Sequence, residues 1–262
     1  MIRALYTAAS GMSAQQLNLD TIANNLANSS TSGFRQRRLQ FQDMIYQNLV
    51  TPGAAQSQQT VSAGLQVGLG TKSAATEVIM TQGDLNQTGN PLDLAIQGNG
   101  FFQIQRPDGT TAYSRAGSFH LNNQGQIVTI DGDPLVPSIT IPPNATSITI
   151  TQYGMVNATL PGQQNPTQLG QIQLATFANP EGLNSIGNNL FEATLSSGQA
   201  VLDTPGGTQG LGTLQQGYLE NSNVDVVTEF VQMVLAQRAY ESNSKVIRAA
   251  DDMYSQVNNM TR

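Results

Sequence analysis

The sequence predicts an α+β protein: an antiparallel pair of long, coiled-coil-like terminal helices, with a β-rich domain and an extended arm inserted between them. Three observations carry this. Both ends of the chain repeat apolar residues every three or four positions. The middle alternates apolar and polar residues in short runs broken by Gly, Pro and Asn. A charge-poor stretch without helical period stands between the first helix and the strands.

In the N-terminal segment (1–31), Ile2, Leu5, Ala9, Met12, Gln16, Leu19, Ala23 and Leu26 step by three and four residues, the spacing of a coiled-coil seam. Gln16 is its polar exception, and Gly11 weakens the same helix. The pattern stops at Ser29-Ser30-Thr31-Ser32-Gly33, which is turn chemistry. Just before that stop, Asn24, Asn25 and Asn28 crowd the helix, although each Asn costs roughly several tenths of a kcal/mol against Ala. On a helical wheel Asn18, Thr21, Asn25, Asn28 and Ser32 share one side, and Leu19, Ile22, Ala23 and Leu26 share another. Asn28 stands where the helix should end. Asn24 and Asn25 are expected to hydrogen-bond neighbouring chains and set register, as polar seam residues do.

The next segment (32–70) connects and then extends. Arg35, Arg37 and Arg38 form the one basic cluster, read as a solvated or inter-subunit face. Residues 47 to 70, QNLVTPGAAQSQQTVSAGLQVGLG, are too long for an ordinary loop and read as an extended arm or a disordered linker, the arm being the expectation carried forward.

Residues 71–215 read as the β-rich domain. LAIQGNGFFQIQ, TAYSRAG, SFHLNNQGQIVTI, SITIPPNATSITIT and QIQLATF are strand-like runs, and Asn122-Asn123-Gln124-Gly125 is a good hairpin turn. In the last segment (216–262) an apolar stripe passes through Val224, Val227, Phe230, Val231, Val234 and Leu235. It continues through Ala239, Val246, Ala250, Met253, Val257 and Met260, with Asn243 as an interruption. There is no Gly or Pro from Val224 onward, and Asp225 or Asn223 is placed to cap the start, with Glu229 near the positive end. Such a pair of helices, seamed by Gly11, Gln16 and Asn243, is marginal alone and better as one layer of a larger bundle.

Composition narrows function. Of 262 residues 39% are hydrophobic, so the chain is not disordered on composition, yet only 11% are charged. A surface of Gln, Asn, Ser and Thr desolvates at low cost, which suits packing against copies of itself. The net charge of −6 argues against a nucleic-acid partner. There is no cysteine, hence no disulfide and no thiolate site. MIRALYTAASGMSAQQ lacks the apolar run of a secretory signal, so export, if it occurs, is expected by another route.

Catalytic chemistry is not visible. His120 is the only histidine and has no visible partner for metal or nucleophilic work. Asp131 and Asp133 flank a turn glycine, and Asp251-Asp252 point to different sides of a helix. GNG at 98 to 100 has no helix after it, and GGTQGLG at 206 to 212 lacks the Lys and Ser/Thr of a phosphate loop. No enzyme, cofactor, metal or small-molecule substrate is expected. A secreted β-domain binding module is the alternative of another class, and a peptidoglycan-cutting enzyme a weaker one.

IANNLANSSTSGF at 22 to 34 resembles the N-terminal motif shared by bacterial flagellar rod, hook and hook-associated axial proteins. GYLENSNVDVVTEFVQMVLAQRAYESNSKVIRAADDM at 217 to 253 resembles their C-terminal motif, and PLDLAIQGNGFF at 91 to 102 and AYSRAGSFHLNNQGQIVT at 112 to 129 resemble their middle. GLQVGLG at 64 to 70, PSITIPPNATSITI and NPEGLNSIGNNLFEAT are similar to the distal rod subfamily; another β-bearing rod or hook protein is the nearest competitor. Members often carry a Lys soon after the Gly-aromatic pair, where this chain has Arg35, Gln36, Arg37 and Arg38.

The resemblance implies a helically polymerising subunit of the flagellar drive shaft, exported without a cleaved signal and located in the basal-body rod that spans from periplasm to outer membrane. It implies as partners further copies of the chain, proximal rod proteins, the hook protein, the P-ring and L-ring proteins and the flagellar export apparatus. The expected subunit-interface residues are Leu5, Met12, Gln16, Leu19, Ile22, Asn24, Asn25, Leu26, Asn28, Gly33 and Phe34, with Gln237, Arg238, Tyr240, Asn243, Val246 and Met253. Leu65, Val67, Gly68 and Gly70 are the expected packing residues of the arm.

Overall fold

The computed structural model describes residues 2–50, 55–56, 59–60, 64–163, 165–207 and 209–260. Of the expected arm, residues 51–54, 57–58 and 61–63 lie outside the described residues. A helix opens the described chain, strands fill the middle and a helix closes it, an α+β order. The chain divides into two compact units. The first comprises Met1–Ala27, Arg37–Val78 and Asp225–Arg262; the second comprises Asn28–Gln36 and Ile79–Val224.

In the first unit, helix α1 (Ile2–Ala27) and helix α2 (Val226–Met260) pack together. The side chains they bury are mostly small or polar: Ala8, Ala14, Ile22 and Asn25 on α1, and Glu229, Ala236 and Ala250 on α2. Ala9, Gln16 and Ala23 of the expected α1 seam are exposed, and Leu5, Met12, Leu19 and Leu26 are only half-buried. The buried line therefore runs beside the expected one. Spacing identifies a helix face, but close approach selects the small residues on it. Gly11 and Asn243, the two irregularities of the sequence, explain each other: a β carbon on Gly11 would lie 2.8 Å from the Asn243 Nδ2.

Asp225 caps α2. Its Oδ1 accepts from the Val227 N–H (2.9 Å) and its Oδ2 from the Thr228 hydroxyl (2.8 Å). The other candidate cap, Asn223, is engaged elsewhere: its Oδ1 accepts from Gln36 N–H (2.7 Å) and its Nδ2 donates to Ile79 O (2.9 Å). The Thr228 hydroxyl, followed by the Val227 and Thr228 amides, holds the Asp225 carboxyl below its ordinary value of 3.8. A depressed folded pKa contributes stability that is complete above the unfolded value and lost as pH falls through the folded one. The first turn of α2 is thus expected to fray only below pH 3.8, seen as faster amide exchange at Val227 and Thr228, and Asp225→Asn is expected to remove that pH dependence.

Between the helices, the first unit carries β1 (Arg37–Asp43), β2 (Tyr46–Val50), β3 (Ala55–Gln56), β4 (Gln59–Thr60), β5 (Leu65–Gly68) and β6 (Thr71–Val78). β1 pairs with β6, β2 with β5 and β3 with β4, all antiparallel, with a bulge between Gln40 and Phe41. The charge-poor segment therefore doubles back on itself. Gly68 faces the Tyr46 ring, and a β carbon on Gly70 (φ +114) would collide with the Ser10 hydroxyl of α1.

The second unit holds β7 (Leu85–Gln87), β8 (Leu94–Gln97), β9 (Phe101–Gln105), β10 (Thr111–Ser114), β11 (His120–Leu121), β12 (Ile127–Val128) and β13 (Leu135–Val136). It continues through β14 (Ser147–Ile150), β15 (Met155–Thr159), β16 (Thr167–Gln171), β17 (Leu174–Thr176), β18 (Asn184–Gly187), β19 (Leu190–Glu192), β20 (Val201–Asp203), β21 (Thr213–Gln216) and β22 (Tyr218–Glu220). Its main sheet runs β18-β19-β10-β9-β17-β20, with β13 also on β9, and β14-β15-β16 form a second. Leu94, Ile96, Phe102, Phe119, Ile127, Ile172 and Leu174 form the core, with the Phe102 and Phe119 rings edge-to-face at 5.1 Å. The hairpin turn read at Asn122–Gly125 joins β11 to β12, and the Asn122 Oδ1 accepts from Gln124 and Gln126 N–H, both at 2.9 Å.

Candidate assembly interface

Because the helix pair is seamed by small side chains, the large apolar ones of α2 are left outside. Val227 is 72% exposed, Phe230 51%, Val231 56%, Val234 52% and Leu235 64%. Their spacing of i, i+3, i+4, i+7 and i+8 puts them on one side of the helix. Further along, Val246, Met253, Val257 and Met260 are also exposed. Large exposed apolar faces of this kind are where proteins commonly associate. The expected site residues omitted the five large ones near the start of α2, although their apolar period was plain in the sequence.

The other expected residues fall into three groups. Gln16, Asn24, Gln237, Arg238, Tyr240, Val246 and Met253 are exposed. Leu5, Met12, Leu19, Leu26, Asn28, Phe34 and Asn243 are half-buried, while Ile22, Asn25 and Gly33 are buried. Asn24 borders a cavity of about 490 Å³ formed by α1, β1 and β6, with Leu17, Asp20 and Leu39 also in its wall. On the ribbon Leu65 is exposed and Val67, Gly68 and Gly70 are half-buried.

Asn25 corrects the expectation that its amide serves a neighbouring chain. Its Nδ2 donates to Arg37 O (2.8 Å) and to Glu229 Oε2 (3.3 Å), and its Oδ1 accepts from Arg37 N–H (2.9 Å). The side chain pairs with the backbone of Arg37 as a neighbouring strand would, starting β1 and touching α2 at the same time. A wheel drawn from α1 alone cannot reveal this, because both partners come from elsewhere in the chain. Asn25→Ala is expected to cost the isolated protein about 1–3 kcal/mol, the penalty for leaving buried donors and acceptors unpaired, read by urea denaturation.

The three arginines also part company. Arg38 is exposed and pairs with Glu77 (2.8 Å), and Arg37 is held through its backbone by Asn25. Arg35 is buried, which corrects its reading as part of a surface face: its Nη2 lies 2.6 Å from Glu220 Oε1. Arg115 Nε donates to Glu220 Oε2 (3.0 Å), and its Nη1 donates to Gly98 O (2.8 Å) and Gly100 O (2.6 Å). Gly83 N–H completes the coordination of Glu220 Oε1 at 2.9 Å. Gly33 makes this possible. At φ +73 it donates its N–H to Glu220 O (2.8 Å), and a β carbon there would stand 2.5 Å from the Ala116 nitrogen. Its tight backbone turn carries Arg35 inward.

Among the described residues no three metal-ligating side chains gather, and no helix is long and apolar enough to cross a membrane. His120 is exposed on β11.

Three family models match along the chain in order. They are "Flagella basal body rod protein" over residues 5–35, "Flagellar hook protein FlgE/F/G D1 domain" over 95–158, and "Flagellar basal body rod FlgEFG protein C-terminal" over 215–260. Each contributes one member of the buried ionic group: Arg35, Arg115 and Glu220 respectively. The flagellar basal-body rod protein FlgG of Caulobacter vibrioides is 52% identical over 254 residues, 96% of this chain and 97% of the relative. The proteins of the same name from Borreliella burgdorferi and Bacillus subtilis are 47% and 41% identical, with full coverage of both chains. With that identity sustained end to end, and the matched segments converging on one buried ionic group, the chain belongs to the FlgG family of flagellar basal-body rod proteins.

Proposed function

We infer that the chain works as a structural subunit of the distal rod of the flagellar basal body, polymerising helically through its terminal helices into a rigid shaft that carries torque from motor to hook. It is a structural protein and not an enzyme, as its family is. The observation that carries the assembly reading is the exposed apolar line Val227, Phe230, Val231, Val234 and Leu235. Burying one such side chain is worth about 1.5–3 kcal/mol, so a few contacts per neighbour suffice to hold copies together.

In this reading α1 and α2 run antiparallel as a coiled-coil-like pair. Two contacts support it: Asn25 meets Glu229 and Gly11 meets Asn243, so numbering rises along one helix as it falls along the other. Residues 47–70 are read as the extended arm, whose described part presents exposed Leu49 and Leu65 to neighbouring copies. Membership in the family further supports proximal rod proteins, the hook protein, the P-ring and L-ring proteins and the flagellar export apparatus as partners.

The absence of cysteine makes a direct test available. Leu235→Cys, placed in a motile host lacking its own copy, is expected to react with a maleimide at least about tenfold more slowly in isolated basal bodies than in the purified monomer, following the access of the thiolate. His120→Cys, on the β-rich unit, serves as the comparison for accessibility. Equal rates for Leu235→Cys in both states would overturn the assignment of this face.

A further inference from the structure

We propose that the cavity walled by Arg35 and Arg115 is a binding site for one carboxylate group carrying a short aliphatic body. This goes beyond the assembly role and does not depend on it. The cavity measures about 310 Å³, and Gln82, Asn99, Phe101 and Phe177 also line it. It belongs wholly to the β-rich unit.

Charge balance points to an anion. The buried group holds two guanidinium ions and one carboxylate, so it carries one positive charge in excess. Both Glu220 oxygens are already engaged: Oε1 accepts from Arg35 Nη2 and Gly83 N–H, and Oε2 from Arg115 Nε. Arg115 spends its Nη1 on two glycine carbonyls. Arg35 Nη1 is buried and has no acceptor among the described residues, although the Arg35 side chain is only 2% exposed. A buried, charged donor without an acceptor is uncommon in a folded protein and destabilises it. Burial, with Arg35 adding to it against the pull of Glu220, also holds Arg115 below the ordinary arginine value. An arriving anion supplies the acceptor that Arg35 Nη1 lacks and offsets the excess charge beside Arg115.

The walls choose the kind of anion. A carboxylate matches the planar guanidinium through charge-assisted hydrogen bonds. Phe101 and Phe177, edge-to-face at 5.9 Å, offer apolar surface to methylene groups, which a fully hydrated oxyanion lacks. Two sources share this chemistry: a free carboxylate ion, and the acidic side chain of a second copy of this chain.

The test uses the full-length purified protein with acetate as probe. In dilute solution, at constant pH and ionic strength, chloride is replaced stepwise by acetate and thermal unfolding is followed. Wild type is expected to show a saturable rise in Tm. Arg35→Lys keeps the charge opposite Glu220 but loses the second guanidinium nitrogen, and is expected to bind acetate about tenfold more weakly, the loss of one charged hydrogen bond. Asn99→Asp, at an exposed wall position that leaves the core intact, supplies a carboxylate from within and is expected to abolish the acetate response. Sulfate at equal ionic strength is expected to give no saturable rise. Identical acetate responses in wild type and both variants would overturn the site, as would an acetate-soaked crystal structure with only water on Arg35 Nη1. Sources are separated by sedimentation: acetate raising the concentration needed for self-association assigns the carboxylate to a neighbouring copy, and no change assigns it to the free ion.

Discussion

Replacing Glu220 by alanine is expected to lower the stability of the β-rich unit by about 3–5 kcal/mol, the cost of stranding buried charges whose partner has been removed. Glu220 is fully buried and neutralises two arginines that are themselves 2% and 5% exposed. Removing it leaves two adjacent guanidinium ions without a counter-charge and Gly83 N–H without its acceptor. With a urea slope of about 2–3 kcal/mol/M, the midpoint should fall by roughly 1–2 M, measured on the amide exchange of Phe101–Gln105 in β9. A second variant isolates the cause. Changing Arg35, Arg115 and Glu220 together to methionine removes the charges as a set, and most of the loss should be recovered. If the triple variant is as unstable as Glu220→Ala, the effect comes from packing and not from unpaired charge.

The second large effect concerns association. Phe230→Asp with Leu235→Asp is expected to leave the monomer within about 0.5 kcal/mol of wild type, because both side chains already face solvent. Association should suffer far more. Each change forfeits about 1.5–3 kcal/mol of apolar burial and adds the desolvation of a carboxylate. Together they should weaken a subunit contact at least about a thousandfold. In a motile host lacking its own copy, the double variant should abolish motility and leave basal bodies without a distal rod by electron microscopy. Ile130→Asp, at a still more exposed site on the β-rich unit, is the comparison and should assemble. Normal rods built from the double variant would remove the assembly role from this face.

The α+β order, both long helices, the Asp225 cap and the Asn122–Gly125 turn were all legible in the sequence, because each depends on residues near one another in the chain. Apolar period also marked the outer face of α2. What stayed hidden depends on distant partners. Asn25 looked like a helix breaker kept for another subunit, yet its amide is spent on Arg37 and Glu229, 12 and 204 positions away. Arg35 looked like one of three surface arginines, yet Gly33 turns it toward Glu220, 185 positions away. Arg115 and Glu220 both lay within motifs quoted from the sequence, AYSRAGSF and GYLENSN, but nothing local marked them as a pair. The seam between the helices was missed by about one position, since spacing reveals an apolar face and says nothing of what will cover it.

Because the apolar side chains buried on α1 and α2 are mostly alanines, Ala8, Ala14, Ala236 and Ala250, the helix pair covers little apolar area by closing on itself. In the inferred assembly, the apolar area left outside α2 is covered only when another copy arrives. Stability of the helical unit is then linked to concentration by mass action, gaining about 1.4 kcal/mol for each tenfold rise above the dissociation constant. The β-rich unit has its own phenylalanine and isoleucine core and depends on neighbouring copies far less. In the inferred assembly a lone subunit is therefore expected to be a firm domain with soft ends, seen as faster amide exchange along α1 and α2 in dilute monomer than in rods.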